Sequence, residues 1–133
     1  MDRDDAEGAA AAAAHFLRLR APMMASGETA EWVEMSHQAC EFCASGLEQA
    51  ETIQERNDTY TGGDATTEAV EVYAMDPVTG TWPVEVRITE DASRIVNSSD
   101  EEVFASVRST TRLLVEVGLR DGSWVIVGVG DAK

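Results

Sequence analysis

Lysine is nearly missing from this chain of 133 residues: nine of its ten basic residues are Arg, and Lys133 is the single Lys. Against them stand 25 Asp and Glu, for a net charge of −15. So acidic a chain lacks the basic patches that phosphates or lipid headgroups need, which excludes nucleic acid and anionic membrane surfaces as partners. No apolar run approaches the roughly 18–20 residues of a membrane-spanning helix. A phosphate-cradling G-x-x-x-x-G-K, a dinucleotide G-x-G-x-x-G and a nucleophile elbow G-x-S-x-G are all lacking. The acid runs Glu90-Asp91 and Asp100-Glu101-Glu102 lack the Gly and closing Glu of a calcium loop and read as solvated turns. There is no internal repeat. The first residues have neither the basic start nor the apolar centre of a secretory signal; the expectation is that any signal or lipid anchor lies ahead of residue 1.

The length corresponds to one domain with one core, and 44% hydrophobic residues exclude wholesale disorder. Arg over Lys together with the run Ala9 to Ala14 is what a high-GC genome writes; a salt-loving host is the alternative. The acidity is uneven, with 14 acids and 4 bases in residues 1–68 and 11 and 6 in residues 69–133. This reads as a solvated face, or as a surface that meets a basic partner.

Met1 to Gly8 is patternless and reads as a disordered tail, leaving 9–133 as the domain. Ala9 to Ala25 reads as a helix, with Phe16, Leu19 and Met23 on one stripe, Pro22 kinking or dividing it and Gly27 ending it. Thr29 is a plausible cap for a short second helix with Trp32, Val33 and Met35. Cys40 to about Arg56 carries Cys43, Leu47, Ala50 and Ile53 at helical spacing. Asn57 to Thr67, with Gly62-Gly63, reads as a loop. The period then becomes two. Val70, Val72 and Ala74 oppose Glu71 and Tyr73, and Trp82, Val84, Val86 and Ile88 oppose Glu85, Arg87 and Thr89, with a turn over Asp76 to Gly80. Arg94 to Val96 reads as a short strand. Val103 to Val107, Leu113 to Leu119 and Ser123 to Val129 continue the pattern, the last two joined by the hairpin signal Asp121-Gly122. Three helices followed by antiparallel strands define the fold class as α+β, with one sheet face packed on the helices.

Cys40 and Cys43 admit four readings. A disulfide across one helical turn is feasible, since Cα atoms there fall within about 4.4–6.8 Å. A redox-active pair would gain from a helix N-terminus, but wants a preceding strand, and Glu41 would oppose thiolate formation. A zinc site could add His37 and His15, but only one ligand knuckle is present. Two inert buried thiols are the fourth. His15 lies near the apolar stripe and could point inward as a proton-transfer base; His37 sits in a break and should be exposed. His15, Phe16, Trp32, Tyr60, Trp82 and Trp124 are the candidate pocket lining, with core filling as the plainer role of Trp82 and Trp124. Tyr73 shares a face with Glu71. Glu85, Arg87, Glu116 and Arg120 alternate outward as cross-strand charge pairs.

Four segments in order carry a resemblance: Ala13-Ala14-His15-Phe16-Leu17; Ala25-Ser26-Gly27-Glu28-Thr29; Ser36 with Cys40-Glu41-Phe42-Cys43; and Leu119-Arg120-Asp121-Gly122-Ser123-Trp124. With them the chain resembles the nuclear transport factor two-like (cystatin-like) cone. It is similar, more particularly, to a family of uncharacterised actinobacterial lipoproteins, although the lipid-modified Cys of that family is not in this sequence. The resemblance implies a curved antiparallel sheet wrapped on the N-terminal helices and an extracytoplasmic, cell-envelope location. It favours a Cys40–Cys43 disulfide and carries no chemistry. The function expected is non-catalytic binding of a protein partner or a small apolar ligand, without cofactor or metal, by a monomer or homodimer. The alternatives are an isomerase- or dehydratase-like enzyme using His15 or an inward carboxylate, and an acidic cytoplasmic inhibitor of immunity type.

Overall fold

A computed structural model describes residues 3–132. Its elements are α1 (Ala6–Arg18), α2 (Arg20–Ser26), α3 (Ala30–Met35), α4 (Glu41–Glu55), β1 (Thr59–Gly62), β2 (Ala65–Val72), β3 (Trp82–Glu90), β4 (Ser93–Val96), β5 (Glu102–Ser106), β6 (Ser109–Arg120) and β7 (Ser123–Asp131).

The first helix begins inside the expected tail. Asp5 caps it by accepting from the Gly8 N–H at 3.2 Å, and Arg3 pairs with the Asp5 carboxylate. Gly8 is buried, and the Arg3 carbonyl accepts from the Trp124 indole at 2.9 Å. The charged residues that look patternless in the sequence are thus a cap and a clamp. Met1 and Asp2 lie outside the described residues.

Ala9, Ala12, Ala13, Phe16 and Leu17 form the buried stripe of α1. Their small side chains let the helix lie close against β2, β3 and β6. Among the described residues there are four helices where three were expected. Pro22 has no N–H and its ring crowds the carbonyl four residues back. The helix therefore breaks at Leu19, and Pro22 falls in the first turn of α2, where no donor is needed. Cys40 caps α4, its sulfur accepting from the Cys43 N–H at 3.1 Å. Cys43, Gly46, Ala50 and Ile53 form the buried face of α4. Trp32 lies directly on Gly46, where an added Cβ would come within 2.6 Å of the indole ring. Trp32 also stacks on Phe16, with ring centroids 4.0 Å apart, and donates its indole N–H to the Cys43 carbonyl at 2.8 Å.

The strands are antiparallel and form two sheets, β2-β3-β6-β7 and β1-β4-β5. The sheets meet where three chain paths break at one level. Gly62 pairs with Ser93 and Ala65 with Glu90, while Ser93 pairs with Ser106 and Glu90 with Ser109. The three-stranded sheet therefore continues the four-stranded one across a bend, which gives the curved sheet of an α+β cone. Gly62 and Gly63 both have positive φ there, and a Cβ on either would collide with the Ala92 carbonyl or the Tyr60 hydroxyl. The expected loop over Asn57 to Thr67 is in fact β1, this bend and the start of β2; the two glycines mark a corner between strands, not a break in pairing. A bulge at Val70 shifts the β2 register, so Val70 is exposed despite its alternating pattern.

The core lies between α1 to α4 and the four-stranded sheet. Val84, Val86, Val115, Val117 and Ile126 are fully buried from the strand side, with Phe16, Trp32 and Met24 from the helices. Among the described residues, no helix is long and apolar enough to cross a membrane.

Candidate functional site

The helices reach the three-stranded sheet mainly at β1, through α2 and α4. The inner side of β4 and β5 is left facing α4 across an open cleft of about 730 Å³. That volume is within the usual range of ligand sites, about 300–1,000 Å³. Met24, Ile53, Tyr60 and Ile95 supply apolar lining, and Val103, Phe104 and Val107 supply an exposed apolar rim. Arg20, Glu48, Arg56, Asp58, Glu90 and Asp91 supply charge. Behind it lies a second cavity of about 280 Å³, lined by Leu17, Trp32, Phe42, Ile88 and Leu113. Arg20, Ser45, Gln49 and Glu90 line both. Arg20 spans the junction, donating to the Gln49 amide oxygen at 2.7 Å and standing 3.9 Å from the Glu90 carboxylate.

Residues 1–130 match a family of unknown function, DUF6318. The chain belongs to that family. The comparison with curated proteins finds no match. Among solved structures, this DUF6318 member is similar to the intermembrane-space region of the chloroplast protein ARC6, at a TM-score of 0.73 and 13% identity over 97% of both chains. It is also similar to a periplasmic fragment of TraM, at a TM-score of 0.53 and 14% identity, over 98% of this chain and 100% of that one. A protein with a cystatin-like fold from Caulobacter vibrioides gives a TM-score of 0.46 at 14% identity, over 96% of this chain and 91% of that one. At such identities the first two likenesses show the fold alone.

The expected pocket residues are not brought together. Tyr60 lines the main cleft and Trp32 the second cavity. Phe16 is wholly enclosed under Trp32. Trp124 is buried beneath the Arg3 carbonyl, and Trp82 is partly buried against the core. Neither lines the cleft or the second cavity, because both take the core-filling role. His15 does not point into the cone. Its Nε2 lies 2.5 Å from a Glu31 carboxylate oxygen on the outer side of the helices. The stripe Ala9, Ala12, Ala13, Phe16 turns inward and leaves position 15 outside. His37 is half-buried rather than exposed, held by its N–H to the Ile126 carbonyl and by a bond from the Ala39 N–H to its Nδ1.

Cys40 and Cys43 are joined as a disulfide, with Cα atoms 5.2 Å apart, and both are about 99% buried. Bonded to each other, they offer no thiolate to a metal or a substrate.

The outward charges pair otherwise than expected. Glu85 accepts from Arg112 at 3.2 Å and from the Tyr73 hydroxyl at 3.2 Å, and Arg87 pairs with Glu68 at 2.7 Å. The register sets Glu85 opposite Leu114, so its partners are diagonal neighbours. The nearby Glu71 carboxylate is the main influence raising the Tyr73 hydroxyl above its ordinary pKa; burial and the bond to Glu85 add to it. The cleft residues missing from the sequence reading, Arg20, Ser45, Gln49, Ile95 and Phe104, are brought together by the sheet bend. Their one sequence signal is the Gly62-Gly63 pair.

Proposed function

We propose that this DUF6318 member is a non-catalytic binding domain of the cell envelope, of the actinobacterial lipoprotein kind. It takes a small apolar ligand, or an apolar segment of a protein partner, in the cleft between α4 and the three-stranded sheet. The observation that carries this reading is the cleft itself, whose large apolar side chains stand exposed at a rim the helices leave uncovered. The buried Cys40–Cys43 disulfide supports an oxidising compartment, and so tells against the cytoplasmic inhibitor. Structural neighbours named as intermembrane-space and periplasmic domains are in keeping with that compartment. Of the two bases the enzyme reading allows, His15 is engaged by Glu31 away from the cleft, and the inward carboxylate would have to be one of Glu48, Asp58, Glu90 and Asp91. The acids around the cleft favour a neutral or basic occupant.

Ser45 is exposed on α4 and lines both cavities, so Ser45→Trp fills the junction without touching the core. Titration with the neutral apolar dye Nile red, followed by fluorescence, is expected to show binding to the wild type. The variant should bind at least about tenfold more weakly, a change of about 1.4 kcal/mol. Equal binding by both proteins, or none by the wild type, would overturn the cleft as a binding site.

A further inference from the structure

Among the described residues, the strand β5 is hydrogen-bonded to β4 alone, and its other edge is free. All five of its residues are exposed, as are Val107 and Arg108 after it. Val103 is 55% exposed, Phe104 49% and Val107 82%. Natural sheets blunt such an edge with charged side chains, Pro, a bulge or a covering loop, because unpaired backbone groups beside apolar side chains recruit another strand. Here the charges stand only at the two ends, Glu102 and Arg108, a bulge falls at Val103, and there is neither Lys nor Pro.

The segment Glu102-Val103-Phe104-Ala105-Ser106-Val107-Arg108 is complementary to itself. Run antiparallel to a second copy about a two-fold axis through Ala105, it places Glu102 opposite Arg108, Val103 opposite Val107, and Phe104 opposite Ser106. The end pairs set opposite charges against each other, the next pairs set valine against valine, and no like charges face one another. Within one chain Glu102 contacts Arg94 at 3.3 Å and Arg108 contacts Asp91 at 3.7 Å, but all four side chains are half or more exposed. Each can therefore take a further partner.

We infer that β5 is the self-association edge of this protein: two copies pair antiparallel through residues 102–108 in the register centred on Ala105, forming a two-fold symmetric dimer. The inference does not rest on what the cleft binds, although Val103, Phe104 and Val107 belong both to the cleft rim and to this edge. One strand pair buries less than the roughly 1,200 Å² of a standard interface, and two chains of charge −15 repel, so the dimer is weak and concentration-dependent.

The test is sedimentation equilibrium of the full chain, from about 10 μM to about 1 mM, in about 0.3 M salt to screen the net charge. The wild type should dimerise over this range. Glu102→Arg or Arg108→Glu alone sets like charges opposite each other twice per dimer and should weaken association about tenfold or more. The double variant exchanges the two signs and should restore it to within about threefold. Val107→Lys, at a site too exposed to matter for folding, should weaken it as well. Ser45→Trp should leave it unchanged whether or not the dye result stands. A wild type monomeric throughout, single reversals without effect, or a double variant that keeps its thermal transition but fails to associate, each overturns the inference. In the first case the edge is open to a strand of another chain.

Discussion

The two sheets share one set of chain paths, yet they do different work. In the four-stranded sheet Val84, Val86, Val115 and Val117 are fully enclosed beneath α1. In the three-stranded sheet, a few residues further along the same paths, every residue of β5 is exposed. The helices set the difference. The small residues of α1 let it lie flat on the first sheet, while α2 and α4 meet the second mainly at β1. Stability is therefore concentrated on one side of the bend, and surface free to bind lies on the other.

The contrast is broken most directly by cutting one large side chain on each side. Trp32 is 1% exposed, stacked on Phe16, seated on Gly46 and bonded to the Cys43 carbonyl. Trp32→Ala is expected to cost about 3–5 kcal/mol in urea unfolding, from lost transfer energy, cavity and an orphaned acceptor. Phe104 is half exposed, and Phe104→Ala should fall within about 0.5 kcal/mol of the wild type. If the Phe104 variant loses more than about 1.5 kcal/mol, β5 belongs to the core and the division is wrong.

The same division decides what could be read from the sequence. Where one face is buried against helices, the pattern carries the answer. The alternation from Trp82 to Thr89 and the Asp121-Gly122 turn both locate real strands, because burial forces the period. The split of the first long helix was legible too, since proline acts locally. The bend was not. It depends on three segments breaking at one level, and Gly62-Gly63 looks the same in a loop as in a corner. Because the cleft is made by that bend, its residues could not be collected from the sequence. His15 shows the opposite failure: a stripe counted from Phe16, Leu19 and Met23 runs across the break at Leu19, whereas the true stripe is set by the alanines before it.

A middle-sized effect is expected at the junction of α3, α4 and β7, where the disulfide lies. Its bridge closes a loop of only four residues, so the chain-entropy contribution is about 2 kcal/mol. Replacing both Cys40 and Cys43 by Ala should lower the urea midpoint by the equivalent of about 2 kcal/mol, and reductant acting on the unfolded wild type should have an effect of the same sign. Dye binding in the cleft should survive at urea concentrations below the transition, since neither sulfur lines it. Loss of dye binding in a folded double variant would tie the bridge to the cleft and erase the separation of the two sides.

The smallest effect concerns the outer face of the four-stranded sheet, where Tyr73 donates to Glu85 beside Arg112. The Tyr73 hydroxyl is raised above its ordinary value near 10, chiefly by the Glu71 carboxylate and then by burial and the Glu85 bond. The native state therefore holds this proton more tightly than the unfolded chain does. Its stabilising contribution is complete below the unfolded value and is lost as pH rises through the folded one. Tyr73→Phe removes the titration, so the stability difference between wild type and variant should be largest near pH 8 and shrink toward pH 11. Paired urea unfolding at those two pH values measures it. A difference that stays constant would mean that the proton is held no more tightly in the native state than in the unfolded chain. The Tyr73 hydroxyl would then add nothing pH-dependent to the outer face, whose charged contacts would reduce to the Arg112–Glu85 and Arg87–Glu68 pairs.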